Sequence, residues 1–182
     1  MDAFETVIST LLRREGYWTI PNFKVELTKK DKQQIGRPSS PRWEIDLIAY
    51  NGLTNEVLAV ECKSYLDSLG VVFRHGHFDT PKVYKLFVDD PLRKVVLHRL
   101  ARQLERIKAC RPKPKIQLCL AAGKIAKRSN LPELKAHFAA NKWQLFDPEW
   151  ITDRLKEAGH SGYENDVTFV VTKLLERNRK PS

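Results

Sequence analysis

The stretch RWEIDLIAYNGLTNEVLAVECKSY (residues 42–65) decides how the chain is read. Two runs rich in Val, Ile, Leu and aromatic residues flank the polar NGLTNE, which is the composition of two strands joined by a turn. RWEIDLIAY (42–50) is the outgoing strand and VLAVECKSY (57–65) the return. Successive strand residues face opposite sides. By that rule Ala59, Glu61 and Lys63 share one face, and Val60, Cys62 and Ser64 the other. On the first strand Glu44, Asp46 and Ile48 share a face, opposite Trp43, Ile45 and Leu47. Pairing Tyr50 with Val57 across the turn sets Asp46 directly opposite Glu61, with Lys63 one step along. Directly opposed residues have Cβ atoms about 4.5–5.5 Å apart, so two carboxylates would face each other in an otherwise apolar hairpin.

Like charges placed this way are unfavourable unless something cationic lies between them. A hard divalent cation meets the need. Magnesium is usually held by one or two carboxylates, with waters and a substrate phosphate completing its oxygen shell. Asp46 and Glu61 are therefore candidate metal ligands. Lys63 is placed to orient a water, to help deprotonate it, or to offset charge on a phosphoryl group. The competing reading is an ion pair on the solvated face of an antiparallel sheet. Ala49, Leu58, Ala59 and Val60 weigh against it, because charges among apolar residues tend to be paired or metal-bound.

Composition narrows the partner. Thirty-two Lys and Arg against 22 Asp and Glu give a net charge of +10, which favours a polyanion, most often nucleic acid. Lys29, Lys30, Lys32 and Arg37 crowd the polar segment 28–41, expected as a long loop. Arg99, Arg102 and Arg106 lie on the polar face of a basic helix expected over 92–109. A solvated helix face is the plainer reading of those three. Cys62, Cys110 and Cys119 are odd in number and widely spaced, which fits a reducing cytoplasm and no disulfide framework. No apolar run reaches the roughly 20 residues that span a bilayer, and the first residues do not read as a secretory signal. The expected location is cytoplasmic, without membrane contact.

The remaining pattern is a helix over 2–15, a strand in YWTIPNFKVEL, the hairpin, the basic helix, a strand over 115–123, a helix from Asn130 to about 140, a strand over 142–146, a helix opened by Asp147-Pro148, and a last helix marked by Val167, Val170, Val171, Leu174 and Leu175. Residues 66–91 follow no clear period. HGHFD (75–79) has metal-ligand residue types but no further ligands at a regular spacing, so a loop or a phosphate contact is the better reading. The expected architecture is α/β, a mixed central sheet with flanking helices, antiparallel first and parallel later.

The residues EIDLIAY, then six positions, then VLAVECKSY resemble the core of the PD-(D/E)XK nuclease superfamily, with its restriction-endonuclease-like fold. Asp46 and Glu61-Cys62-Lys63 carry the resemblance, which covers about residues 2–125. Ile45 stands where many members have Pro. The N-terminal FETVISTLLRREGYWTIPN is most similar to the Holliday-junction-resolvase-like and type IV restriction-like branches. The resemblance implies a Mg2+-dependent endonuclease acting on DNA, with Mn2+ as a substitute. It implies Asp46, Glu61 and the Cys62 backbone carbonyl as metal ligands, Lys63 as a catalytic residue, and a homodimer as a possible assembly. It also offers Glu5, on the first helix, as a catalytic and metal-binding fourth member; Asp2-x-x-Glu5 equally fits a helix cap. The chain is expected to form one domain over 1–178, with a C-terminal α/β extension over 126–178 and a frayed tail at 179–182. The alternative function is a catalytically inactive nucleic-acid-binding protein built on a nuclease-derived fold.

Overall fold

The computed structural model describes residues 2–36, 42–160, 162 and 165–177. Arg37 and the tail 179–182 lie outside the described residues. Helix α1 (Ala3–Arg14) starts where Asp2 accepts the Glu5 amide and the Glu5 side chain accepts the Asp2 amide, the two halves of a capping box. Ile8, Leu11 and Leu12 bury its apolar stripe. Gly16, at φ +86°, turns the chain into strand β1 (Trp18–Glu26).

The expected loop over 28–41 contains a short helix, α2 (Lys29–Gln34). Thr28 and Asp31 cap each other reciprocally at its start, and the polar composition of the segment hides that TKKD signal. Strands β2 (Arg42–Asn51) and β3 (Glu56–Lys63) form the hairpin. Two short strands, β4 (Phe73–Arg74) and β5 (His77–Phe78), pair with each other. A 3-10 turn (Pro81–Val83) leads into α3 (Lys85–Val88) and the basic helix α4 (Asp90–Arg106). Then follow β6 (Lys115–Ala122), α5 (Leu131–Ala140), β7 (Gln144–Phe146), α6 (Pro148–His160) and α7 (Val167–Arg177). Asn130 accepts the Glu133 amide and Asp147 the Trp150 amide, so the capped starts of α5 and α6 fall where the sequence puts them.

The five-stranded sheet has the order β1-β2-β3-β6-β7. β1, β2 and β3 are antiparallel neighbours, while β3–β6 and β6–β7 are parallel. β7 joins this same sheet, so the strand of the C-terminal extension belongs to the architecture of residues 2–125. Each face of the sheet has its own core. One gathers Ile48, Val57, Ala59, Leu118 and Leu120 with Leu92, Val96 and Leu100 of α4 and Phe138 of α5. The other gathers Leu47, Leu58, Val60 and Cys119 with α1, Ile151 of α6 and Phe169 of α7. The product is a mixed sheet between helices, an α/β protein. No described helix is long and apolar enough to cross a membrane.

The alternation on β2 departs from the expected one. Trp43, Ile45, Ile48 and Tyr50 all belong to the α4 side, and Leu47 and Ala49 to the α1 side. The face changes between Ile45 and Ile48, at Asp46. β1 changes with it: Phe23 and Val25 pair with Ile45 and Trp43, whereas Ile20 pairs with Ile48. Asn22, across from Asp46 in that register, has φ +50°, a left-handed conformation that Asn tolerates. Asn22 and Asp46 both drop out of an otherwise continuous register.

Candidate active site

The hairpin pairs Tyr50 with Val57, as the turn predicts, and the register holds to Leu47 opposite Val60. There the ladder stops, one pair short of Asp46 and Glu61. The Asp46 carboxylate takes over the role of the missing backbone acceptor: the Cys62 amide donates to Asp46 Oδ2 at 2.7 Å. β3 meanwhile continues along β6 to the pair Lys63–Ala122. The strands part at one end of the sheet, and the side chains of Asp46, Glu61 and Lys63 close the gap.

Lys63 Nζ lies 3.7 Å from Asp46 Oδ2 and 3.7 Å from Glu61 Oε2. All three side chains are largely covered, at 18% exposure for Lys63, 25% for Asp46 and 14% for Glu61. Glu61 Oε1 is buried with no hydrogen-bond partner among the described residues. Burial, reinforced by the Asp46 charge and only partly offset by Lys63, pushes the Glu61 carboxyl up to about 7. One ammonium serves two carboxylates at distances too long for strong hydrogen bonds. Burial also raises the Cys62 thiol, with Asp46, Glu5 and Glu61 adding to it. That thiol belongs to the core on the α1 side and contributes no nucleophile. The Cys62 carbonyl projects from the same edge of the strand as its amide, towards Asp46.

Glu5 is placed differently. Its Oε2 accepts the Asp2 amide at 2.9 Å in the capping box. Burial raises its carboxyl, the Asp2 amide works against that, and the charges of Asp2 and Asp46 add to it. Glu5 thus lies within electrostatic range of Asp46 while bonded to the start of its own helix. Among the described residues, no three His, Cys, Asp or Glu side chains converge as a ready metal cluster. The groups that fit a cation are two carboxylates, one with an unpartnered buried oxygen, and a nearby backbone carbonyl. That donor set suits a hard ion which keeps waters and borrows a phosphate.

The other candidates lie elsewhere. Glu44 is exposed and accepts from Asn22 at 3.3 Å. Asp79 is held in two bonds by Arg74, and His75 and His77 sit exposed in the β4–β5 hairpin. Lys29 and Lys30 are exposed on α2, and Lys32 is half-buried. Arg99, Arg102 and Arg106 line a cavity of about 330 Å3 between α4 and the end of β1. They are not simply a solvated face. Arg99 pairs with Asp31 at 2.7 Å and Arg106 with Glu26 at 2.6 Å. Gln103 accepts the Glu26 amide and donates to the Lys24 carbonyl. Gln103 therefore covers the open edge of β1, a task that polar composition alone does not disclose.

Gly123, just after β6, is a residue that sequence reasoning passed over. Its amide donates to the Lys63 carbonyl at 2.9 Å. A Cβ there would overlap the Ser64 carbonyl oxygen and come within 3.1 Å of Phe4. The strand bearing Glu61 and Lys63 can approach only because this position is glycine. Compared with known proteins, the chain matches no family model, no curated sequence and no solved structure.

Proposed function

We propose that this chain is a divalent-metal-dependent endonuclease of the PD-(D/E)XK type that hydrolyses DNA phosphodiester bonds. One observation carries the reading. Asp46, Glu61 and Lys63 converge from two parting strands with a buried carboxylate oxygen left over. The net charge of +10 supports a polyanionic substrate.

Asp46 and Glu61 would hold Mg2+, or Mn2+ in its place, with the Cys62 carbonyl beside them. Bound there, the cation supplies Lewis acidity towards a phosphate oxygen and neutralises developing charge. The chain's own residues do the rest. Hydrolysis adds water to phosphorus and breaks one P–O bond to a sugar. The Lys63 ammonium, between the two carboxylates, can donate to the attacking water and to the phosphoryl oxygens as their charge grows. Asp46 also holds the Cys62 amide, which fixes the end of β3 on which Glu61 and Lys63 ride. Glu5, which caps its helix through Oε2 beside the site, would be the fourth member that the resemblance implies.

The test is cleavage by purified protein of supercoiled plasmid, branched DNA, single-stranded DNA and RNA, with Mg2+, Mn2+ or a chelator. The expected result is metal-dependent nicking of DNA that disappears in Asp46→Ala and in Lys63→Ala while binding persists. Binding without cleavage of any substrate under Mn2+ would establish the inactive nucleic-acid-binding protein instead. That second reading draws on the fact that, among the described residues, no group of three His, Cys, Asp or Glu side chains converges here. Equal cleavage by Lys63→Ala would remove the mechanism.

A further inference from the structure

Residues 64–70 read SYLDSLG and follow β3 directly after Lys63. In a chain of net charge +10 this segment holds no Lys or Arg and one acid, Asp67. Both of its leucines are exposed, Leu66 at 62% and Leu69 at 70%. The segment is nonetheless firmly held. The Ser68 amide donates to the Tyr65 carbonyl at 3.1 Å and closes a turn. Tyr65 stands at φ +47°, a left-handed conformation uncommon for a bulky residue. The Lys124 ammonium donates to the Leu66 and Ser68 carbonyls. The Val71 amide donates to the Lys124 carbonyl, and Val71 bridges to Ile125. A Cβ at Gly70 would fall 2.9 Å from that same carbonyl. Two leucines are thus presented to solvent from a held turn beside the candidate site. A strained backbone kept in place by its surroundings points to a use for what it presents.

We propose that Leu66 and Leu69 form a wedge that enters an opened base step of DNA next to the phosphate under attack. The wedge selects duplexes that carry an unpaired or easily unstacked step. The inference rests on the nuclease reading of Asp46, Glu61 and Lys63 and narrows its substrate. Position argues for it. Three residues span at most about 10 Å, so Leu66 lies within that reach of Lys63, backbone to backbone. Nucleic acid bound at Lys63 therefore comes up against the leucines.

Chemistry decides which part of the nucleic acid they meet. Phosphates are met by cations, and the one charged side chain of this segment is a carboxylate. The ammonium beside it is taken up by carbonyls of the turn. Base faces suit leucine: proteins that kink a duplex insert Leu, Ile, Met or Phe between base steps. Pyrimidine–purine steps open most readily, and a mismatched or unpaired base resists less still. An anionic membrane fits less well, because interfacial segments carry Lys and Arg where this one carries Asp67. A protein partner seated on the leucines would cover the site.

Two measurements on the full chain test this. In chelator, wild type should raise the fluorescence of 2-aminopurine placed at a paired TA step of a duplex, as the base unstacks. Leu66→Ala/Leu69→Ala should abolish the rise and keep the melting temperature, both positions being exposed. Leu53→Ala, at a remote exposed position, should leave the rise intact. With Mg2+, wild type should nick a bulged duplex within about three nucleotides of the bulge, since about 10 Å covers three at 3.4 Å each. Its preference for the bulged over the fully paired duplex should fall about tenfold for each leucine removed. Nicking whose position and preference survive the double variant overturns the wedge and leaves the nuclease standing. Leucine-dependent unstacking without cleavage of any substrate under Mn2+ keeps the wedge and removes the nuclease. No rise on binding overturns the wedge. Leucine-dependent binding to phosphatidylserine vesicles without unstacking also overturns it and assigns the turn to a membrane.

Discussion

Glu61 carries an electrostatic load that can be measured without any substrate. Its carboxyl sits at about 7 in the folded chain, against about 4.3 for an unperturbed Glu. The group therefore holds its proton more tightly when folded. Below the unfolded value both states are protonated and nothing is lost. As pH rises from there through about 7, ionisation of the unfolded state draws stability away, and above 7 the penalty is complete. Its upper scale is on the order of 3 kcal/mol. Glu61→Gln should consequently raise the melting temperature at pH 8 and change it little near pH 4. Mg2+ at pH 8 should raise the wild-type melting temperature and leave Glu61→Gln unmoved. If Glu61→Gln lowers the melting temperature at pH 8, the carboxylate is stabilised by Lys63 alone and the case for a cation fails.

At the scale of elements, the site depends on where strands are allowed to approach or part. β3 approaches the segment after β6 because Gly123 has no side chain, and β2 leaves β3 because Asp46 replaces a backbone partner. Gly123→Ala should force the Lys63–Ser64 backbone aside. The expected cost is roughly 1–3 kcal/mol, typical of overpacking, with a fall in cleavage rate as Lys63 shifts. Gly52→Ala, where an added Cβ meets nothing closer than 4.0 Å, should change neither; thermal melts and plasmid nicking read both. The hairpin register and the capped starts of α1, α5 and α6 were legible in the sequence, because period and capping are local signals, whereas Gly159, which reads as the stop of α6, lies inside that helix. The change of face at Asp46 was not, since it is set jointly with Asn22 on a neighbouring strand. The elements within 66–91 were hidden for a similar reason. β4 is tied to distant residues: Ser129 and Asn130 hold the Phe73 backbone, and Val71 bridges to Ile125. Of the candidate site, the convergence of Asp46, Glu61 and Lys63 was legible from strand period and hairpin register; for Glu5 the capping box that Asp2-x-x-Glu5 suggests is observed, and it leaves the metal role implied by the resemblance untouched.

Across the whole molecule, a charge of +10 says that phosphates are attracted but not which cations meet them. The ion pairs sort the arginines of α4. Burial alone would raise the Asp31 carboxyl, yet hydrogen bonds from Arg99 and Thr28 hold it below the ordinary range. Arg99 is thus a structural cation whose removal strands a buried carboxylate. Arg102 is 69% exposed and, among the described residues, its one acidic partner is Glu105, at 4.0 Å. Arg99→Ala should cost about 1–3 kcal/mol of stability, the scale of an orphaned buried polar group. Arg102→Ala should leave the melting temperature unchanged and act on binding. For phosphate contacts the logarithm of affinity falls linearly with the logarithm of salt, by about 0.9 per phosphate neutralised on duplex DNA. Titrations across a salt series should therefore show a steep slope for wild type and one shallower by about 0.9 for Arg102→Ala. A flat wild-type slope would mean that the surplus charge does not meet the nucleic-acid backbone. An unchanged slope in Arg102→Ala would move the contact surface away from the groove between α4 and β1, leaving the exposed Lys29 and Lys30 of α2 as the next cations to remove.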